Sequence, residues 1–207
     1  MKITWLGHAC FKIESEGSSL VIDPYDNRKI QGYPKLHTEA DRVLVTHEHE
    51  DHNFREAVTL TGKECLLKVR EVSAFHDDQQ GAILGSNTIF IIEDGEFRVA
   101  HFGDLGHKLS EGQFSVIGKL DAAIVNVGGF LASEAGSATE LMKVVKPSWI
   151  IPCHFRGDTF GVPSAGTLEE FLELQNNSWP VCGCAFELKK QAGTHTVVFQ
   201  DFFRSEP

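Results

Sequence analysis

The chain is predicted to fold as an α/β protein of the αββα sandwich class, with two mixed β-sheets packed face to face and helices on both outer faces. Three observations predict it. Short apolar or alternating segments crowd the first half, helix-like and strand-like segments alternate in the second, and metal-binding side chain types recur just past strand ends. The 207 residues suit one domain spanning 1–207, and an apolar content of 42% supplies a substantial core.

Short strands are expected over residues 2 to 46. Met1 to Glu14 reads as two strands joined by a tight turn at Gly7-His8, and Ser19 to Asp23 as a third, stopped by Pro24. A helix is expected from Phe54 to Thr61, and strands return from Cys65 to Ala100. Helices over Ser110 to Lys119 and Ser137 to Lys146 alternate with strands over Asp121 to Val127 and Ser148 to Pro152. Thr167 to Leu174 forms another helix, capped by Thr167 with Glu169 and Glu170 near its positive end. The last strands are Ala185 to Leu188 and His195 to Phe199.

The most informative segment is His47-Glu48-His49-Glu50-Asp51-His52, directly after the apolar run Val43-Leu44-Val45-Thr46. Successive side chains of an extended segment alternate faces, so His47, His49 and Asp51 point to one side. A turn near Asn53 would swing His52 toward the same point. Neutral imidazole and carboxylate are the N and O ligands of zinc, and they also suit manganese and iron. Further candidates follow in order: His76 after Phe75, His101 and Asp104 around Phe102-Gly103, and His154 after Cys153. Each lies just past the carboxyl end of an expected strand, where loops converge.

The pattern His-x-His-x-Asp-His after a buried strand, completed by His76, Gly103-Asp104 and His154, resembles the metallo-β-lactamase superfamily. The resemblance runs from Met1 to about Gly161. It implies a first metal held by His47, His49 and His76, a second held by Asp51, His52 and His154, and Asp104 bridging the two. His76 is preferred over His101 as the third histidine, and His101 reads as a core or supporting residue. With one hydroxide shared by the ions, the centre would carry roughly +1, which favours an anionic substrate. Relatives with di-iron redox chemistry usually carry Glu where His49 stands, so the resemblance favours hydrolysis over an iron oxidoreductase.

The Gly7-His8 turn and the Ile22-Asp23-Pro24 strand end further resemble the subgroup of ascorbate-6-phosphate lactonase and N-acyl-phosphatidylethanolamine phospholipase D. There Asp23 would hydrogen-bond a ligand histidine and fix its tautomer. His8 would lie near the site, as a ligand or as a turn histidine packed on Trp5. The expected activity is hydrolysis of an ester, lactone or phosphodiester of a small anionic molecule by a hydroxide bound between two divalent ions, zinc first and manganese as the alternative. Asp51 would also align the water, and His107 would face substrate or donate a proton, unless it is a solvated loop histidine. A metal-binding regulatory or scaffolding protein without catalysis is the rival reading.

Arg156 and Asp158 follow His154 and would clamp an anionic group or pair with each other in solvent. Asn87, Gly128 and Gly129 would shape a pocket or serve turns, and Phe130 and Leu131 would form an apolar wall or pack in the core. A formal charge of −10 opposes nucleic-acid binding, which needs a basic groove. No apolar run reaches membrane-spanning or export-signal length. Five cysteines, Cys10, Cys65, Cys153, Cys182 and Cys184, fit reduced thiols, so a cytoplasmic location is expected. Cys182-Gly183-Cys184 is too tightly spaced for the usual zinc pair, and Cys153 is expected in the core. Pairing of exposed sheet edges would give a homo-oligomer.

Overall fold

The computed structural model describes residues 1–129 and 134–200. Phe130 and Leu131 lie outside them. Along the chain run β1 (Lys2–Gly7), β2 (Cys10–Ser15), β3 (Ser18–Ile22), β4 (Thr38–Ala40), β5 (Arg42–Leu44) and β6 (Val58–Leu60). Next come β7 (Lys68–Phe75), β8 (Ser86–Glu93), β9 (Arg98–His101), α1 (Glu111–Ile117), β10 (Ala122–Asn126), α2 (Ala135–Val145) and β11 (Trp149–Cys153). The last are α3 (Leu168–Leu172), β12 (Ser178–Cys182), β13 (Ala185–Glu187) and β14 (His195–Gln200).

Two mixed sheets result. The first has the order β13-β1-β2-β3-β5, antiparallel except for the parallel β3–β5 pair. The second has the order β12-β14-β11-β10-β9-β8-β7, parallel from β12 to β9 and antiparallel from β9 to β7. Every residue of β10 and β11 is buried, as befits strands covered on both faces. Trp5 of the first sheet stacks on Phe199 of the second, ring centroids 6.0 Å apart, and Phe155 closes on it at 5.4 Å. Cys153 packs in this interior.

The segment 54–61 corrects the helix expected there. It forms a single 3-10 turn, Arg55–Ala57, and then β6, which pairs in parallel with β4. Val58, Thr59 and Thr61 are β-branched and fit a pleated edge better than a helix, and no side chain caps the short turn. The strand β12 is absent from the sequence reading because Pro180 argues against a strand. It lies at the sheet edge, the place that tolerates proline. Among the described residues no helix is long and apolar enough to cross a membrane.

Asp94, in the turn between β8 and β9, ties the two sheets together. It accepts hydrogen bonds from the Ser15 hydroxyl at 2.7 Å and from the amides of Glu96 at 3.0 Å and Phe97 at 2.8 Å. Burial pushes its carboxyl up, but the Phe97 amide and the Ser15 hydroxyl outweigh it and hold the group below the usual carboxylate range. A depressed folded pKa contributes stability above the unfolded value of about 3.9 and loses it as pH falls through the folded one. Asp94→Asn is therefore expected to be less stable than the parent at neutral pH. Urea titrations should show that gap closing in acid.

Candidate metal centre

Seven segments from both sheets deliver side chains to one point. The turn between β1 and β2 brings His8, and the end of β3 brings Asp23. The loop after β5 brings His47 to His52, and β7, β9, β10 and β11 end near His76, Asp104, Asn126 and His154. In the 47–52 loop Glu48 and Glu50 face outward, where they pair with Arg55 and Lys29. His47 and His52 are buried, and His49 is more open. His8, Asp23 and His154 adopt the left-handed backbone region at φ 51, 51 and 56°. For residues other than glycine that conformation is strained, by about 1–3 kcal/mol each, and persists only where packing enforces it.

Asp104 lies at the middle. Its Oδ2 is 3.1 Å from His76 Nε2, 3.5 Å from His52 Nε2, 3.5 Å from His154 Nε2 and 3.8 Å from His47 Nε2. Asp51 forms a second focus, its Oδ2 3.2 Å from His8 Nε2 and 3.6 Å from His52 and His154 Nε2. His47, His49 and His76 offer donor atoms within 4.8 Å of one another, and so do His8, Asp51, His52 and His154.

The supporting contacts fix which ring nitrogen faces the centre. Asp23 accepts from the Thr46 amide at 2.7 Å, the Thr46 hydroxyl at 2.7 Å and His52 Nδ1 at 2.9 Å. The Thr46 hydroxyl gives its proton to Asp23, so it accepts from His47 Nδ1 at 3.0 Å. Both rings therefore turn Nε2 toward the centre. Asn126 donates to Asp104 Oδ1 at 2.8 Å, and Asn87 accepts from the Asp104 amide at 3.1 Å while donating to the Phe102 carbonyl at 2.9 Å. Gly103 (φ 56°) lies so close that a Cβ there would collide with Asn87 Oδ1 and come within 2.7 Å of Thr46 Cβ.

Such a set fits divalent cations. The Nε2 atoms of His47, His52 and His154 are buried without a hydrogen-bond partner among the described residues. Stranding buried polar atoms is unfavourable, and cations bound among these clusters would satisfy them. Burial, aided by the neighbouring imidazoles, pushes His47 and His8 down to about 3, which keeps both rings neutral and able to ligate. For His52 burial acts in the same direction, but Asp104 and Asp23 override it and hold the ring well above the usual histidine range. Burial would also raise Asp104, yet His154 and His52 keep its carboxyl well below the ordinary value.

Other residues singled out from the sequence are not among the clustered donors. His101 donates through Nε2 to the Ala9 carbonyl at 2.9 Å and accepts the Gly103 amide at Nδ1, a core histidine linking the sheets. His107 donates through Nδ1 to the Lys108 carbonyl at 2.8 Å and lines a cavity of about 630 Å³ with Leu105, Leu109, Phe114 and Leu141. Arg156 spends its Nε on the Ala165 carbonyl at 2.7 Å, and Asp158 is exposed. Thr46 and Asn126 escaped the sequence reading. Each is a lone polar residue ending an apolar run, the one signal that pointed to them.

Residues 2–154 match the family model of the beta-lactamase superfamily domain. The chain belongs to the metallo-β-lactamase superfamily. A UPF0173 protein of Pyrococcus furiosus is 30% identical over 202 residues, covering 84% of this chain and 91% of its own. A UPF0173 metal-dependent hydrolase of Methanopyrus kandleri is 26% identical over 200 residues, covering 75% and 84%. In crystal form, a candidate Zn-dependent hydrolase of the superfamily from Thermotoga maritima superposes with a TM-score of 0.72 at 31% identity, covering 96% of this chain and 97% of that one. Superfamily membership and the His/Asp clusters together support a metal-dependent hydrolase.

The Thr46 hydroxyl orients His47 directly and His52 through Asp23, yet it reaches the centre only through them. Thr46→Val keeps the volume and removes the hydroxyl. Metal affinity, measured by competition with a chromogenic chelator, is expected to fall about 10–100-fold with the fold intact.

Proposed function

We propose that this chain is a hydrolase that holds two divalent cations, zinc or alternatively manganese, and cleaves an ester, lactone or phosphodiester bond of a small anionic substrate. One cation would be held by His47, His49 and His76, the other by Asp51, His52 and His154, with Asp104 between them. The observation that carries this reading is the approach of four imidazole Nε2 atoms to one buried carboxylate oxygen, Asp104 Oδ2, at 3.1 to 3.8 Å. A carboxylate shared in this way would screen the repulsion between two neighbouring dications. When bound, such cations acidify a water toward neutral pH and polarise the oxygen of the bond attacked.

The remaining roles belong to the chain. Asp51 keeps 28% of its side chain exposed against 4% for Asp104, so it is the carboxylate of the centre that can meet a substrate-side water and align it by accepting its hydrogen bond. His107 would donate a proton to the leaving group from the wall of its cavity, whose Leu105, Leu109, Phe114 and Leu141 suit an uncharged part of the substrate. The Gly7-His8 turn and Ile22-Asp23-Pro24 favour a lactone or phosphodiester, by their resemblance to the lactonase and phospholipase D subgroup.

Elemental analysis of the purified protein tests the metals, and a panel of lactones, phosphodiesters, thioesters and β-lactams tests the reaction. About two metals per chain are expected, with turnover that a chelator abolishes. Asp51→Ala should lower turnover by at least about 100-fold while circular dichroism stays unchanged. Turnover that survives metal removal, or that survives in Asp51→Ala, would sink the reading.

A further inference from the structure

His8 has no part in the ligand sets above, yet its surroundings are those of a ligand. Its side chain is 1% exposed, in the Gly7-His8 turn, and its ring lies against His154 with centroids 3.9 Å apart. The turn is pinned from two sides, because the His8 carbonyl accepts from Trp5 Nε1 at 2.9 Å and from the His154 amide at 3.2 Å. These contacts hold the residue at φ 51°, a conformation that a loosely packed turn would give to glycine or asparagine. A histidine placed only to pack on Trp5 would need none of this, and a phenylalanine or leucine would fill the space without burying a ring nitrogen.

The donor separations point further. His8 Nε2 lies 3.2 Å from Asp51 Oδ2, and His52 and His154 Nε2 lie 3.6 Å from the same oxygen. All four donor atoms fall within 4.8 Å of one another. Tetrahedral ligands at about 2.0–2.1 Å from a zinc ion are separated by about 3.3–3.4 Å, so these spacings are close to the edges of one coordination shell. The His8–Asp51 spacing also fits a hydrogen bond, and in either case Nδ1 is buried without a partner among the described residues.

We infer that His8 is a direct ligand of the second cation, completing a set of four with Asp51, His52 and His154. This deepens the proposed function and rests on its two-cation reading. The two positions are then unequal. The second has four protein donors of its own before Asp104 is counted, whereas the first has three and opens to solvent beside the more exposed His49. Closed sets of four are characteristic of structural zinc, and three with an open position of catalytic zinc. The first position therefore keeps more room for a bound water than the second.

Cobalt(II) titrations of the wild type and of His8→Gly test this, since glycine accepts the backbone at residue 8 without strain. The wild type is expected to take up two equivalents. His8→Gly should keep the first and lose the second, or bind it at least about 100-fold more weakly with an altered visible spectrum. Added imidazole should fill the vacated space and restore both affinity and spectrum. If His8→Gly takes up the second equivalent with unchanged affinity and spectrum, the ligand assignment is overturned while the two-cation reading stands. A wild type that takes up fewer than two equivalents overturns both. Should the glycine variant not fold, the imidazole ¹⁵N shifts of the wild type during zinc titration decide. A metal-type shift at His8 Nε2 supports ligation, and an unmoved His8 refutes it.

Discussion

The rest of the centre is organised around a conflict between buried lone pairs. Asp104 Oδ2 is surrounded by four ring nitrogens, and two of the rings, His47 and His52, are oriented by Thr46 and Asp23 to present Nε2. A carboxylate oxygen and an unprotonated imidazole nitrogen repel when neither carries a hydrogen between them. Positive charge resolves the conflict, as a proton or as a cation. His52 shows the proton solution, because its two carboxylate neighbours raise its affinity for one despite complete burial. Asp104 and Asp23 also act on His47, but burial and the neighbouring His52 outweigh them, so that ring stays neutral and its Nε2 is free to meet a cation.

Holding such a conflict in place needs a stiff frame. Parallel strands β9, β10 and β11 deliver Asp104, Asn126 and His154 in register, and the Asn126 side chain fixes Asp104 from behind. The first sheet supplies the opposite wall through Asp23, whose amide donates to the Leu44 carbonyl at 3.0 Å. The left-handed residues fall where the two walls meet. His8 and His154 bond to each other through backbone, and Thr88 donates to the Thr46 carbonyl at 2.8 Å, so strain in one turn is opposed by the next. Neither sheet alone could present both sets of donors.

Much of this was legible in the sequence, and the reason is local. Between His47 and His52 the alternation of strand geometry and one turn decide which side chains face inward, and Glu48 and Glu50 indeed point to solvent. The order of strands and helices in the second half followed from apolar runs and capping residues such as Ser110 and Thr167, both of which form capping boxes. Where information is not local, the reading failed. In residues 54–61 the β-branched Val58, Thr59 and Thr61 only weaken a helix, and it is the partner strand β4, well upstream in the chain, that completes β6. Pro180 hid β12 because an edge position cannot be read from the segment itself. Asn126 and Thr46 are ordinary polar residues until tertiary contacts bring them to Asp104 and Asp23.

The same geometry couples metal binding to protons and to stability. A cation entering beside His52 must displace the proton that Asp104 and Asp23 retain there, so binding releases protons and strengthens as pH rises through that ring's elevated pKa. Every ligand that recognises only the folded chain stabilises it, by RT ln(1 + [L]/Kd). The loops around residues 8, 23 and 154 would be the chief beneficiaries, since their strained backbones are held by side chains that converge on the cation positions. Asp104 and His52 touch both foci, so filling one position removes part of the like-charge and lone-pair repulsion felt at the other. Two dications held as proposed would also repel each other directly, and the Asp104 carboxylate would screen that repulsion only in part. In the proposed two-cation centre the balance between these terms would set whether the positions fill together or in sequence, and Asp104 Oδ2, close to rings of both sets, enters each of them.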